Sequence, residues 1–342
     1  LLAASAELII VATSREPLGV AGEVTWPTPS LSLADEAVEL FTQRAWLVRP
    51  EFASTDDGAA TIVEICRRLD GVPLAIELAA TRVRALSLTE IRDGLDERLQ
   101  LLTGGARTVV PRQQTLRASI DWSHDLLSEP ERVAFRRLAV FLGGFDLSAA
   151  HAVVAGTDLT RNQTLAWITQ LVDKSLVTAD STGPTTRYSM LETVRQYALE
   201  KVDEAGETDT LGRRHRDHYT ALFETQSPDG YQWHIKQAEI EIDNLRAAFT
   251  WSHEHGDTEL AARLVSGLLP LWIHSRSLEG LAWFNAVLTG GAAVAPAIRS
   301  RLLADKTVFE GWSGSYDRLD QAEQAVAIAR DLDDPALLSW AL

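Results

Sequence analysis

Cysteine is nearly absent from this sequence. Cys66 is the single one in 342 residues, so no internal disulfide framework can form, which fits a reducing cytosol. Long apolar runs are missing as well: no stretch reaches the ~18 residues that a membrane-spanning helix needs. The segment Leu1–Val11 is apolar but has neither a basic start nor a cleavage-like site, so it does not read as a signal peptide. These absences predict a cytoplasmic chain with no membrane partner. Basic residues are scarce: 32 Lys and Arg stand against 48 Asp and Glu, a net charge of −16. That balance argues against broad nucleic-acid binding, which needs clustered cations against phosphates. The acidity is uneven. Residues 201–260 carry 13 acidic and 6 basic side chains, whereas residues 105–145 carry 6 arginines and 4 acids. Any basic face therefore lies near the middle of the chain.

Catalytic patterns are missing too. There is no Gly-x-Ser-x-Gly elbow and no Cys-x-x-Cys pair, so no catalytic residue is assigned. Zinc needs three or four ligands. The close pairs His215/His218 and His253/His255 have no third partner nearby, and are expected to be solvated surface histidines with no metal. Cys66 lies on an apolar helix face and is expected in the core. The acidic series Glu239, Glu241 and Asp243 reads as a solvated helix face.

The residues present divide the chain into successive parts. A length of 342 residues predicts two or three domains. Glu7–Arg15 reads as a buried parallel strand over Leu8–Ala12 with a polar tip, Thr13-Ser14-Arg15. Only six residues precede it, too few to hold a phosphate-binding loop. After a Pro/Gly loop, a helix starting near Ser32–Asp35 is expected to bury Leu33, Ala37, Leu40, Phe41 and Leu47. A second helix over 57–69 points Ile62, Ile65, Cys66 and Leu69 inward and stops at Gly71. Pro73 opens the next helix, and Ser87 with Glu90 forms a capping box before a short one. A linker follows at 103–108. Helices over 113–127, 131–142, 147–154 and 162–174 come next, the last burying Leu165, Ile168, Leu171 and Val172. Two β-like runs around Ser181-Thr-Gly-Pro and a helix over 192–205 complete the order of a winged helix. From about residue 211 everything reads as helix: 211–226, 237–254, 257–275, 278–289, 297–312, 315–331 and 335 onward. Helix pairs spaced near 35–40 residues suggest a solenoid. Six of the ten tryptophans (Trp233, Trp251, Trp272, Trp283, Trp312 and Trp340) fall in this tail, mostly as expected core anchors.

The order of four segments carries a resemblance: Thr13-Ser14-Arg15-Glu16-Pro17-Leu18, Leu31 to Phe41, Gly71-Val-Pro73-Leu-Ala-Ile-Glu-Leu-Ala-Ala, and Tyr188-Ser-Met190-Leu-Glu192-Thr-Val-Arg-Gln-Tyr-Ala. Together they resemble NB-ARC-type signalling ATPases of the STAND class, in the bacterial branch found in LuxR-type and antibiotic-regulator-type transcription factors. The resemblance covers roughly residues 1–225. It implies a mostly α chain: the C-terminal strand and loop of a nucleotide-binding α/β domain (1–30), a helical ARC subdomain (31–104), a winged helix (105–208) and incomplete TPR-like repeats (209–342).

It also implies that ATP or ADP, with Mg, is bound by a longer parent and not tightly by this chain. The parent would be a slow ATPase able to oligomerise; this chain alone is expected to be inactive. Arg15, beside Thr13 and Ser14, would sense the terminal phosphate. Gly71 and Pro73 would pack on the base, and Glu192 would act as a latch where Leu191 replaces the family's phosphate-touching histidine. A protein or small-molecule inducer would bind the repeats, and nucleic acid would be met only through a domain outside this chain. Two other readings stay open: a stand-alone helical-repeat scaffold, and a winged-helix DNA binder using Asn162, Gln163, Thr164 and Gln170, with Arg161, Lys174, Arg132, Arg136 and Arg137 as its cations.

Overall fold

The computed structural model describes residues 11–14, 17–26, 28–33, 35–52, 56–95, 116–155, 159–224, 230–289, 294–312 and 319–342. The chain is mostly α: eighteen α-helices and one two-stranded sheet are described. No described helix is long and apolar enough to cross a membrane. Two compact units divide the chain, one of residues 1–139 and 159–205, the other of residues 140–158 and 206–342.

The first described residues of the first unit are irregular and mostly exposed. Of the expected buried strand, Leu8–Ile10 lie outside the described residues, and Val11 is 91% exposed and in no strand. A parallel strand persists only beside strands that accept its hydrogen bonds. The only sheet among the described residues is the later hairpin. Helices α1 (Glu36–Val48), α2 (Asp56–Arg68), α3 (Pro73–Thr81) and α4 (Leu88–Gly94) then form a small bundle in which α1 packs on α3 and α2 on α4. The buried stripe of α1 is Ala37, Phe41 and Ala45, spaced four residues apart. Leu33 and Leu47, expected inside, are exposed, and Leu40 is half-buried. Leu33 precedes the helix, and Leu47 lies two residues, about 200°, from the Ala45 face. Helix α2 matches expectation: Ile62, Ile65, Cys66 and Leu69 are fully buried. Burial alone pushes the Cys66 thiol up to about 12, so it stays protonated and inert. Ser87 and Glu90 form the expected capping box on α4.

The same unit continues with α5 (Leu116–Asp125) and α6 (Glu129–Leu138). The next helix, α7 (Leu147–Val154), counts with the second unit. After it the first unit resumes with α8 (Arg161–Asp173), the hairpin β1 (Thr178–Asp180) and β2 (Arg187–Ser189), and α9 (Glu192–Glu204). The strands are antiparallel with Ala179 opposite Tyr188. Helix α6 packs on both α8 and α9, and Phe135, His124 and Tyr197 form an aromatic cluster between α5, α6 and α9. Ile168 and Leu171 of α8 are buried as expected, whereas Leu165 is 38% exposed on the far side.

The second unit packs α7 and α10 (Thr208–Glu224) together and adds α11 (Tyr231–Ile240), α12 (Ile242–Glu254), α13 (Thr258–Gly267), α14 (Leu269–His274), α15 (Ser277–Thr289), α16 (Pro296–Trp312), α17 (Leu319–Asp331) and α18 (Pro335–Ala341). Successive contacts of α10 with α12 and α13, α13 with α16, and α16 with α17 and α18 carry the core along the chain. Two long expected helices are each broken in two. Pro270 has no N–H to continue the ladder, so the helix stops at Gly267 and restarts at Leu269. At Glu241 the backbone leaves helical geometry while its side chain turns inward. The tryptophans divide. Trp272 is fully buried and meets Trp283 edge-on at 5.1 Å, and Trp283 stacks on Phe249 at 4.0 Å. A Cβ on Gly280 would lie 2.6 Å from the Trp272 ring, so this helix crossing requires glycine. Trp312 and Trp340 are instead 76% and 43% exposed.

Two expectations of solvated side chains are overturned here. Glu241 is buried: it accepts from the Tyr219 hydroxyl at 3.0 Å and from Asn244 Nδ2 at 2.9 Å. Asn244 also donates to Gly144 O at 2.8 Å, accepts from Leu142 N–H at 2.8 Å, and meets His215 Nε2 at 3.3 Å. His215 is thus 2% exposed, packed against Phe141 and Tyr219. Its neighbour His218 is half-buried, while His253 and His255 are exposed as expected. The helical faces that carry His215 and Glu241 point at the 140–145 segment, which sequence periodicity does not reveal.

Burial drops the His215 pKa from 6.5 to about 4, against a smaller opposing pull from Asn244. The folded state therefore holds the neutral ring while the unfolded chain takes up the proton first. The associated stability is complete above pH 6.5 and is lost as pH falls toward 4, roughly 2 kcal/mol of it by pH 5. Urea unfolding followed by tryptophan fluorescence should show that fall in the natural chain and a flatter pH profile in His215→Phe. Equal slopes would show that His215 does not carry the effect.

Candidate functional site

The turn between α2 and α3 is built from two consecutive left-handed residues, Asp70 at φ 54° and Gly71 at φ 65°. Aspartate tolerates this region better than most side chains, and glycine adopts it freely. At Gly71 there is also no room: a Cβ would stand 2.5 Å from Leu31 O, and Leu31 N–H donates to Gly71 O at 3.0 Å. The turn thus clamps the chain that enters α1. Pro73 follows as the first residue of α3, where its missing N–H costs nothing, and its ring is exposed.

The left-handed turn aims the Asp70 side chain at another helix. Asp70 Oδ2 accepts the backbone N–H of Glu192 at 2.8 Å, across 122 residues of sequence. Leu191, the residue before α9, provides no side-chain cap of its own, so Asp70 supplies it from outside. A carboxylate at a helix N-terminus also complements the helix dipole. Inside the first turn of α9, Arg195 grips Glu192 with two hydrogen bonds of 2.7 and 2.8 Å. Its remaining arm donates to Ala139 O at 3.2 Å, one of the open carbonyls at the end of α6. A continuous polar path therefore runs from the 70–73 turn through the start of α9 to the end of α6.

Of the six predicted site residues, three are gathered here: Gly71, Pro73 and Glu192. Thr13 and Ser14 are exposed in irregular chain, and Arg15 lies outside the described residues. Downstream of them Glu23 accepts the N–H groups of Leu18, Gly19 and Val20, and the first of these bonds does most to hold its carboxyl below the usual range. Asp70 is the residue that sequence reasoning missed. The signal was present as Asp-Gly between the end of one apolar helix and a helix-opening proline, a pairing that marks a left-handed turn.

The face available for a duplex is poor in free cations. Lys174 Nζ donates to both oxygens of Glu131 at 2.8 Å, and Arg132 donates to the carbonyls of His124 and Asp125 at the end of α5. Gln163 closes the capping box with Thr160, and Thr164 is buried. Arg161, Asn162 and Gln170 are the exposed remainder of the side chains considered for base and phosphate contact on α8. No group of three or more metal-ligating side chains occurs among the described residues.

Comparison with known proteins places this geometry in context. Residues 127–203, the segment from α6 to α9, match the family described as "Winged helix-turn-helix domain". Over its whole length the chain is 54% identical to proteins of Mycobacterium tuberculosis and Mycobacterium bovis named "Putative HTH-type transcriptional regulator", and spans 40% of their length. An uncharacterized protein of Mycobacterium tuberculosis is 51% identical over 219 residues, 64% of this chain and 56% of that relative. The chain therefore contains a winged helix-turn-helix segment and is homologous to proteins named as transcriptional regulators.

The Asp70 contact gives a direct test. Asp70→Ala removes the cap and leaves at positive φ a residue that tolerates this region less well than aspartate, and should cost about 1–2 kcal/mol. Asp70→Asn keeps an acceptor and tolerates the backbone, and should cost under about 0.5 kcal/mol. Urea unfolding measures both, and amide exchange at Glu192 should accelerate in the alanine variant alone. Unchanged exchange there would break the link between the turn and α9.

Proposed function

We propose that this chain is the regulatory part of a nucleotide-switched transcriptional regulator of the NB-ARC type. In it the helical subdomain (31–104) precedes a winged helix (105–208) that forms a lid over the nucleotide domain, followed by TPR-like repeats (209–342). The observation that carries this reading is the Asp70–Glu192 hydrogen bond. It ties the turn bearing Gly71 and Pro73 to the first residue of α9, so movement at one is felt at the other. These are the segments that the resemblance assigns to the base contact and to the latch. Pro73 offers a rigid, exposed ring edge suited to a flat base. Arg15 would supply a permanently charged fork for the γ-phosphate, with Thr13 and Ser14 beside it. The start of α9 is already capped by Asp70, which agrees with the absence of a phosphate-touching histidine at Leu191. ATP and ADP, with Mg, would favour different lid positions through contacts to the γ-phosphate alone.

A reading as a duplex binder through α8 is less well supported, because Lys174 and Arg132 are engaged internally. In this proposal any duplex contact suggested by the relatives' name would be made by a domain outside this chain. A purely structural scaffold would leave the Gly71–Pro73 turn without a ligand.

The test uses the whole regulator that carries this segment. Arg15→Ala should weaken ATP binding by about tenfold, the worth of one charge-assisted contact, while leaving ADP binding within about twofold. Titration with fluorescent ATP and ADP analogues reads both. The 342-residue chain alone, given ATP and magnesium, should release no phosphate above a blank. Equal losses for ATP and ADP, or turnover by the isolated chain, would overturn the assignment.

A further inference from the structure

The second unit holds a pocket of about 330 Å³ between the ends of α10, α11, α14, α16 and α18, bounded by Phe223, Tyr231, His234, Ile273, Arg301 and Trp340. Its volume sits at the lower end of the range for small-molecule sites, room for one or two rings. Four of these walls are aromatic: Phe223, Tyr231, His234 and Trp340. Phe223 and His234 meet edge-on at 5.1 Å, and His234 is anchored through Nε2 to Gly267 O at 2.8 Å. The far wall is a stacked pair: the Arg301 guanidinium lies 3.6 Å from the Trp340 ring centre.

The charges around this space are unequal. Asp305 is fully buried, takes the Trp340 indole N–H at 2.8 Å and faces Arg301 Nε at 3.0 and 3.2 Å. It fixes both wall residues but is sealed from the cavity by them. Glu224, at the rim, is held by Arg263 at 2.6 Å. Both contacts of Arg301 with Asp305 run through Nε; its two η nitrogens make no hydrogen bond among the described residues, and its side chain is 43% exposed. The donors left open at the pocket are therefore the η nitrogens of a guanidinium that is ion-paired to Asp305 through Nε and locked against an aromatic ring. A carboxylate can accept two parallel hydrogen bonds from such a fork.

We propose that this pocket binds a small planar aromatic carboxylate, its ring between Phe223 and Trp340 and its carboxylate on the η nitrogens of Arg301. This goes beyond the nucleotide reading and does not depend on it. The test is calorimetric titration of the full chain, without nucleotide, with benzoate, 4-hydroxybenzoate and indole-3-carboxylate, each paired with its neutral amide. At least one acid should bind, and at least tenfold more tightly than its amide. Ile273→Trp, which fills the cavity, should abolish binding while leaving the melting transition in place. Arg301→Lys keeps the charge against Asp305 but loses the fork, and should remove most of the preference for acid over amide. No binding by any of the three acids at millimolar concentration would overturn the proposal. So would equal affinity for acid and amide, or binding undiminished in a folded Ile273→Trp variant.

Discussion

The Asp70 carboxylate is the constraint on which the first unit turns. It sits on a backbone that only a few residue types hold comfortably, and it caps one open N–H at the start of a helix 122 residues away. The two facts are linked. A right-handed residue at position 70 would continue α2 and send its side chain along that helix; the left-handed turn redirects it toward α9. Gly71 then has to be glycine, because the same turn brings Leu31 O into the space of a β-carbon. One reversal of backbone hand therefore fixes the entry to α1, the start of α3 and the start of α9 together.

The second unit uses a different device for a similar purpose. Asn244 is saturated: two acceptor contacts on its carbonyl and two donor contacts on its amide, three of them at 2.8–2.9 Å. Two of those four bonds go to backbone of residues 142 and 144, chain that has no helix of its own to satisfy it. Glu241 joins by stepping out of helical geometry, which breaks what periodicity alone reads as one long helix. A neutral His215 is the remaining partner, held neutral by the burial that the network creates. Polar groups here cost desolvation unless every one is matched, so the network specifies one seating of the 140–145 segment rather than many.

Where the fold could be read from the sequence, the signal was local. The capping box at Ser87 and Glu90, the proline opening α3, the glycine ending α2 and the apolar spacing of Ile62, Ile65, Cys66 and Leu69 each depend on neighbours within a turn or two. Where reading failed, the cause was a partner far along the chain. His215 and Glu241 look like solvated helix residues because nothing nearby in sequence announces Asn244 or Leu142. Asp70 looks like a turn residue because its real partner is the amide of Glu192. Leu47 and Trp312 look like core residues on hydrophobicity alone, yet their positions on the helix surface leave them exposed. The site was legible to the same extent: Gly71, Pro73 and Glu192 were found as separate motifs, and the bond joining them was not.

The charge distribution explains why a winged-helix segment and an acidic chain can coexist. A duplex reader depends on cations left free to meet phosphates. In this segment Lys174 neutralises the buried Glu131, Arg132 closes the end of α5, and Arg195 links Glu192 to the end of α6. Each of these side chains performs a structural task between helices, and each would have to abandon a buried or half-buried partner to serve a phosphate. Taking Lys174 away would leave Glu131, 8% exposed, with Ser128 as its remaining hydrogen-bond donor and without its cation, which is costly for a buried carboxylate. These three cations thus hold the helices of this segment together.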